Sequence, residues 1–311
     1  MHAALVDLGR WLVDAGYRFT TVTPASHARV LARAEHPARD LRDVFGWSRP
    51  FAPALLGERP LAWLRQGDLL RPAAGGLLRS TVRFSTLGSL LFAHSAYPTE
   101  AADAVFFGPD TYRFASLIDA QLSQRALPPG ARILDVGCGS GAGGITAATH
   151  PGAAGASLVL TDINPAALSH ARANAQAAGL DGVSCLLGDL FAPAPGPFGF
   201  IVANPPYLVD RGARAYRHGG GALGAALSER IVAEGLPLLA PGGRLVLYTG
   251  APIVAGEDPF RTAAERLVAP CGWPFSYREL DPDVFGEELD EPPYAEVERI
   301  AAVALVVQRP G

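Results

Sequence analysis

The sequence predicts an α/β chain: a parallel sheet covered by helices on both faces over residues 104–311, preceded by a smaller α+β unit over residues 1–103. Three observations predict it. From Ala104 onward, short apolar runs alternate with helical periodicity, which is the grammar of βαβ units whose strands are buried on both faces. A glycine-rich turn, Gly137-Cys138-Gly139-Ser140-Gly141, joins one such strand to the helix after it. Before Ala104 the order differs, with several amphipathic helices followed by an alternating stretch.

In the first unit, Leu5, Leu8, Leu12 and Val13 recur at helical spacing, so a helix over residues 3–18 stopped by Gly16 is expected. Thr23-Pro24-Ala25-Ser26 reads as a cap with proline in the first turn of a second helix reaching Ala34. Short helices over Asp40 to Phe45 and Pro53 to Leu56 flank the turn at Gly46 to Pro50, and Pro60 to Leu70 forms another. Leu78 to Ser85 then alternates, and with Leu87 to Ala93 across Gly88 it predicts one β-hairpin. Helices followed by a hairpin also suit a winged-helix-like unit, a module that binds protein as readily as nucleic acid.

In the second unit, Val105 to Tyr112 reads as an extended approach and Arg113 to Ala126 as a helix, broken by Pro128-Pro129-Gly130. Strands follow at Arg132 to Val136, Ser157 to Thr161, Val183 to Leu187, Phe200 to Ala203 and Arg244 to Thr249, with two last ones at Ser276 to Leu280 and Ile300 to Gln308. Helices fall between them at Gly143 to Thr149, Pro165 to Ala178, Leu227 to Leu239 and Pro259 to Val268.

Composition narrows the function. The 311 residues are 49% hydrophobic, enough for substantial cores. No apolar run approaches the ~18 residues of a membrane span, and residues 1–16 lack the basic and apolar regions of a secretory signal. Cys138, Cys185 and Cys271 are widely spaced, predicting neither a disulfide framework nor a metal site, and suiting a reducing cytoplasm. All 26 basic residues are arginine, which we read with the Ala, Gly and Pro excess as composition bias. Residues 1–105 carry 12 Arg against 9 acids, and residues 106–311 carry 14 against 21. The first surplus is too small to mark a phosphate-binding surface.

Chemistry concentrates at strand tips. Asp135 ends one strand, and Gly137, Gly139 and Gly141 let the backbone turn tightly beside a ligand. A carboxylate next to that turn disfavours a pyrophosphate and suits the cationic amino-acid end of S-adenosylmethionine. Asp162 closes the next strand and is placed to accept two ribose hydroxyls; Asp189 closes the third and is placed to accept adenine amino hydrogens, with Leu190 or Phe191 on the base. The plainer use of each acid is a helix N-cap. Ile163, beside Asp162, is counted with the same site.

At the fourth strand tip stands Asn204-Pro205-Pro206-Tyr207. Two prolines cannot extend a β-ladder and stiffen the loop. The Asn204 carboxamide oxygen and the Pro205 carbonyl can each accept one N–H of a flat nitrogen group, with Tyr207 stacked on its plane. The plainer reading is an ordinary strand-to-loop turn.

On these residues, Val105 to Val307 resembles class I S-adenosylmethionine-dependent methyltransferases, and within them the "small" methyltransferase superfamily with Asn-Pro-Pro-Tyr after the fourth strand. The resemblance implies a Rossmann-like seven-stranded sheet in the order 3-2-1-4-5-7-6 with the last strand antiparallel. It implies cofactor contacts from Asp135, Gly137, Gly139, Gly141, Asp162, Ile163, Asp189, Leu190 and Asn204, catalytic roles for Asn204, Pro205 and Tyr207, and no metal. Members methylate a glutamine amide of peptide-chain release factors, or adenine N6 or guanine N2 in nucleic acid.

Phe107-Gly108-Pro109-Asp110-Thr111 is similar to the Arg-Pro-(Asp/Glu)-Thr-Glu stretch of the glutamine class, with Gly108 and Tyr112 standing where that class has Arg and Glu. Asp110 and Thr111 are thereby counted, with Asn204 to Tyr207, as substrate-binding. His218 to Leu223 occupies the place of that class's Gly-Gly loop. Arg211, Arg214, Arg217 and His218 suit a phosphate, an acidic peptide or a solvated flap. A small-molecule acceptor, or another reaction consuming S-adenosylmethionine, also remains open.

Overall fold

The structure, a computed structural model, describes residues 1–33, 36–209 and 217–311. Its strands carry apolar residues on both sides because both sides are covered. β5 (Arg132–Val136), β6 (Ser157–Asp162), β7 (Ser184–Leu187) and β8 (Phe198–Ala203) run parallel, and β9 (Leu239–Val254) joins β8 in parallel. β10 (Phe275–Asp281) and β11 (Val297–Gln308) complete the sheet, with β11 antiparallel to both β9 and β10. Among the described residues the order is β7-β6-β5-β8-β9-β11-β10, which is the 3-2-1-4-5-7-6 order expected.

Alternate residues feed two cores. Ile133, Phe200, Val202, Val246 and Tyr248 face one, closed by α5 (Pro109–Gln124), α6 (Ala142–Thr149) and α7 (Pro165–Ala177). Leu134, Ile201, Ala203, Leu245 and Leu247 face the other, closed by α8 (Ala226–Gly235) and α9 (Pro259–Val268). The strand tips therefore open on the edge where the loops converge.

The smaller N-terminal domain has a third core. It is built from α1 (His2–Asp14), α3 (Leu41–Phe45), α4 (Glu58–Gln66) and the hairpin β3 (Val82–Leu87) with β4 (Leu90–Ser95). α2 (Pro24–Ala32) starts under the Thr23 cap, as expected. Ala173 of α7 belongs to this core, whereas Ala171 and Ala175 belong to the sheet core. The alanines of α7 are thus small because the helix is packed on two sides, not through composition alone.

Several boundaries differ from the sequence reading. α1 ends at Asp14 rather than at 18, and α2 ends at Ala32; Ala34, its expected last residue, lies outside the described residues. The single hairpin expected over 78–93 is two ladders. Leu78–Ser80, which is β2, pairs with β1 (Leu70–Pro72), and β3 pairs with β4. The break falls at Thr81, where the Ser80 hydroxyl donates to the Val82 carbonyl at 2.8 Å and accepts the Val82 N–H at 3.2 Å, replacing ladder bonds. Residues 109–112 are not extended: Pro109 opens α5, four residues ahead of the expected start, with Thr111 Oγ1 accepting the Gly108 N–H at 3.2 Å. α8 stops at Gly235, and a 3-10 turn over Leu236–Leu238 leads directly into β9.

Candidate active site

One cavity gathers the strand tips. It is lined by Asp135, Gly137 and Gly139 from the β5 tip, Asp162 and Ile163 from β6, Asp189 and Leu190 after β7, and Asn204 to Tyr207 after β8. Asp110 and Thr111 reach it from the first turn of α5. Phe191, the alternative to Leu190, lies outside the wall, and so does Gly141. Gly141 precedes α6, where Ile145 and Ala171 leave no room for a side chain.

The glycine turn needs its glycines. Gly137 and Gly139 have φ of 64° and 54°, a region costly for residues with a Cβ. The acids hold the turn. Asp162 Oδ2 accepts the Gly139 N–H and Oδ1 the Asn164 N–H, both at 2.9 Å. The cap of α7 is Asn164, whose Oδ1 accepts the Ala166 N–H at 2.9 Å, so Asp162 is not spent as a cap. Burial raises the Asp162 pKa, opposed by backbone N–H groups.

Asp135 lies beneath, 2% exposed, with Oδ2 accepting the Gly144 N–H at 2.7 Å. Burial first, and Asp162 in addition, push its pKa up to about 7 against that hydrogen bond. A buried carboxylate this poorly compensated is suited to a cation. Ile163 is 58% exposed on the wall, a large apolar side chain left for a flat apolar partner. Leu190 is buried at φ 44°. Asp189 differs from its neighbours: its side chain is 59% exposed and pairs with Arg230 of α8 at 2.8 Å. That bond raises the Arg230 pKa.

The loop after β8 is held from three directions. Gly219 and Gly224 pack so closely on the backbone of Pro206 and Tyr207 that a side chain at either would overlap it. Leu208 N–H donates to the Arg217 carbonyl at 3.2 Å, and Gly219 N–H to the Leu208 carbonyl at 2.9 Å. The glycine loop at 218–224 therefore backs the Asn-Pro-Pro-Tyr turn. Tyr207 is only 5% exposed, and its hydroxyl donates to Asp110 Oδ2 at 2.5 Å. Asp110 Oδ1 accepts from the Tyr248 hydroxyl at 2.7 Å and from Arg113 at 3.2 Å. Burial raises the Asp110 pKa against these three donors, and burial pushes the Tyr207 phenol far up.

Sequence reasoning missed Phe285. It follows β10, adopts φ 55°, lines the cavity and meets the Tyr207 ring edge-on at 5.8 Å. No local pattern marks it, because the long return from β10 to β11 brings it there. From the same return, Glu288 pairs with Arg217, which also lines the cavity. Arg211 and Arg214 lie outside the described residues. Among the described residues no group of His, Cys, Asp and Glu is arranged to hold a metal, and no helix is long and apolar enough to cross a membrane.

Residues 114–253 match the family model described as methyltransferase small domain. The chain is 37% identical over 205 residues to the release factor glutamine methyltransferase of Deinococcus radiodurans, covering 61% of this chain and 66% of that protein. It is 35% identical over 124 residues to the ribosomal RNA small subunit methyltransferase C of Chromohalobacter salexigens, covering 40% of this chain and 33% of that one. A second release factor glutamine methyltransferase, from Cereibacter sphaeroides, is 38% identical over 151 residues, 43% of this chain and 51% of that protein. The matched part thus spans from a third to about two thirds of these relatives. In fold, the chain is similar to Methanocaldococcus jannaschii Trm5 in complex with adenosine, with TM-score 0.50 and 14% identity over 74% of this chain and 57% of that one.

Proposed function

We propose, from the premise that residues 114–253 are a methyltransferase small domain, that this chain transfers the methyl group of S-adenosylmethionine to a planar amide or amino nitrogen, and that the acceptor is a glutamine side chain of a protein. One observation carries the reading: the buried carboxylate of Asp135 and the half-buried carboxylate of Asp162 share a cavity with Asn204 to Tyr207. Bound there, S-adenosylmethionine supplies a methyl group made electrophilic by its sulfonium. Asp135 is suited to its ammonium group, Asp162 to its ribose hydroxyls, and Ile163 and Leu190 to the faces of its base. Asp189 would reach the base amine only by sharing or leaving Arg230.

Asn204 and Pro205 act on the acceptor. Each offers one oxygen to an N–H, which aligns the nitrogen and leaves it electron-rich as positive charge develops there. The stiff proline pair keeps this geometry set before the acceptor arrives. Residues 1–103 are then an accessory domain for recognising the acceptor.

Charge favours protein over nucleic acid. From Glu279 to Glu298 the chain has nine acidic and no basic residues, and this stretch brings Phe285 to the cavity. A polyanion would approach that rim against repulsion. The names of the relatives support both classes, so the acceptor must be measured. Methyl-labelled S-adenosylmethionine, the purified chain and extract from cells lacking its gene would be incubated and the product split by protease and nuclease. We expect protease-sensitive label on glutamine. Nuclease-sensitive label would replace this acceptor by an adenine or guanine amine, and label in neither would point to a small molecule. Asn204→Ala should abolish transfer while sparing S-adenosylmethionine binding; retained turnover would remove Asn204 from its role.

A further inference from the structure

The tyrosine that ends the substrate loop is tied from behind by a carboxylate. Asp110 is 5% exposed and sits in the first turn of α5, where Tyr207 and Tyr248 donate to its two oxygens at 2.5 and 2.7 Å. Arg113 bridges Asp110 to Asp281 at the end of β10, at 3.2 and 2.6 Å. We propose that Asp110 is a positioning residue for methyl transfer, acting through Tyr207: its carboxylate sets the Tyr207 ring and keeps that ring electron-rich beside the acceptor nitrogen. The proposal rests on the methyl-transfer reading above.

The geometry assigns the ring little freedom. Pro205 and Pro206 restrict the loop that carries it. Gly250 of β9 leaves the space the ring fills, since a side chain there would overlap it. Phe285 meets it edge-on at 5.8 Å. The hydroxyl bond to Asp110 then fixes the rotation that these contacts leave. Because the acceptor of that bond is a carboxylate, it also places a negative charge directly behind the phenol. An aromatic face backed by negative charge attracts positive charge more strongly. Positive charge is what the acceptor nitrogen develops as its bond to the methyl carbon forms and before its proton leaves to solvent. The methyl–sulfur bond breaks in the same step, and its electron pair stays on sulfur, so the sulfonium leaves as a neutral thioether.

A purely structural acid would need only to join α5 to β9, which the Tyr248 bond already does. The Tyr207 bond reaches the cavity loop instead, so its loss should be felt in turnover before stability.

The test uses the full chain labelled with tyrosine carrying ¹³C at Cζ. Tyr207→Phe identifies the Tyr207 resonance by its disappearance. In Asp110→Asn, which keeps size and removes charge, we expect that resonance to move toward the value of a free phenol. In the labelled-methyl assay on the protein fraction of the extract, each variant should slow saturated transfer by about tenfold to a hundredfold. The double variant should be no slower than the singles, with S-adenosylmethionine affinity by calorimetry within about twofold of the original. An unmoved resonance, unaltered transfer in Asp110→Asn, or losses that multiply in the double variant would overturn the proposal. If the original chain labels neither protein nor nucleic acid, the macromolecular acceptor of the proposed function fails, and the resonance alone decides whether Asp110 sets Tyr207. Should Asp110→Asn not fold, Tyr207→Phe carries the same transfer test, because it leaves Asp110 bound by Tyr248 and Arg113.

Discussion

Burial sets Asp135 against the fold that contains it. Its pKa is pushed up to about 7 from an ordinary 3.8. The folded chain therefore holds a proton there that the unfolded chain has released, throughout the window between those values. The stabilisation is complete below about pH 4 and is lost as pH rises to about 7, by up to about 1.4 kcal/mol per pH unit. Comparing thermal unfolding of the original chain and Asp135→Asn across pH 4 to 8 isolates this contribution, since Asn keeps an oxygen for the Gly144 N–H. We expect the difference curve to slope through that window and flatten above it; a flat difference throughout would mean the carboxylate is not buried as described. A cationic ligand reverses the conflict, so its affinity should rise across the same window. Asp135 was legible in the sequence because it adjoins the glycine turn. The contacts of Asp110 were not, because its partner Tyr248 stands 138 residues away in the chain. Nor was the exposure of Asp189, which depends on an arginine one helix later.

At the level of elements, periodicity was informative wherever burial was two-sided. The central strands are short, mainly apolar runs between helices, feeding two cores. It was least informative at ends, where side chains compete with the backbone: Ser80 splits the expected hairpin, and Pro109 starts α5 a turn early. Gly250 shows an element shaped by a neighbour. It lies inside β9, where a glycine weakens a strand, and its lack of a side chain is what admits the Tyr207 ring. Gly250→Ala should therefore cost about 1–3 kcal/mol by overpacking. It should also slow transfer by about tenfold or more, with S-adenosylmethionine affinity unchanged, because the ring is displaced and the glycine turn is not. Denaturant unfolding together with the labelled-methyl assay measures both, and normal transfer would mean that the ring is not held at Gly250.

At the level of the whole molecule, one side chain joins the two domains and the glycine turn. Asn174 of α7 is 3% exposed; its Oδ1 accepts the Ala93 N–H at 2.8 Å, and its Nδ2 donates to the Ala93 carbonyl at 3.0 Å and the Ser140 carbonyl at 2.9 Å. A carboxamide has the donor and acceptor of a peptide group, so Asn174 stands in for the strand that the edge of β4 lacks. The same group reaches Ser140 within the glycine turn, so docking of residues 1–103 and the shape of that turn share one support. Asn174→Ala would leave three buried backbone groups without this partner, at a cost of about 2–4 kcal/mol. Asn174→Asp should be no better, because its carboxylate can still accept from Ala93 but presents oxygen to two carbonyls. Hydrogen exchange gives the local readout: the Ala93 amide and its neighbours in β4 should lose protection before the central strands do. S-adenosylmethionine affinity should fall with them, since Ser140 is released at the same time. If β4 stays protected while the affinity falls, the two domains are held together elsewhere and Asn174 serves the turn alone.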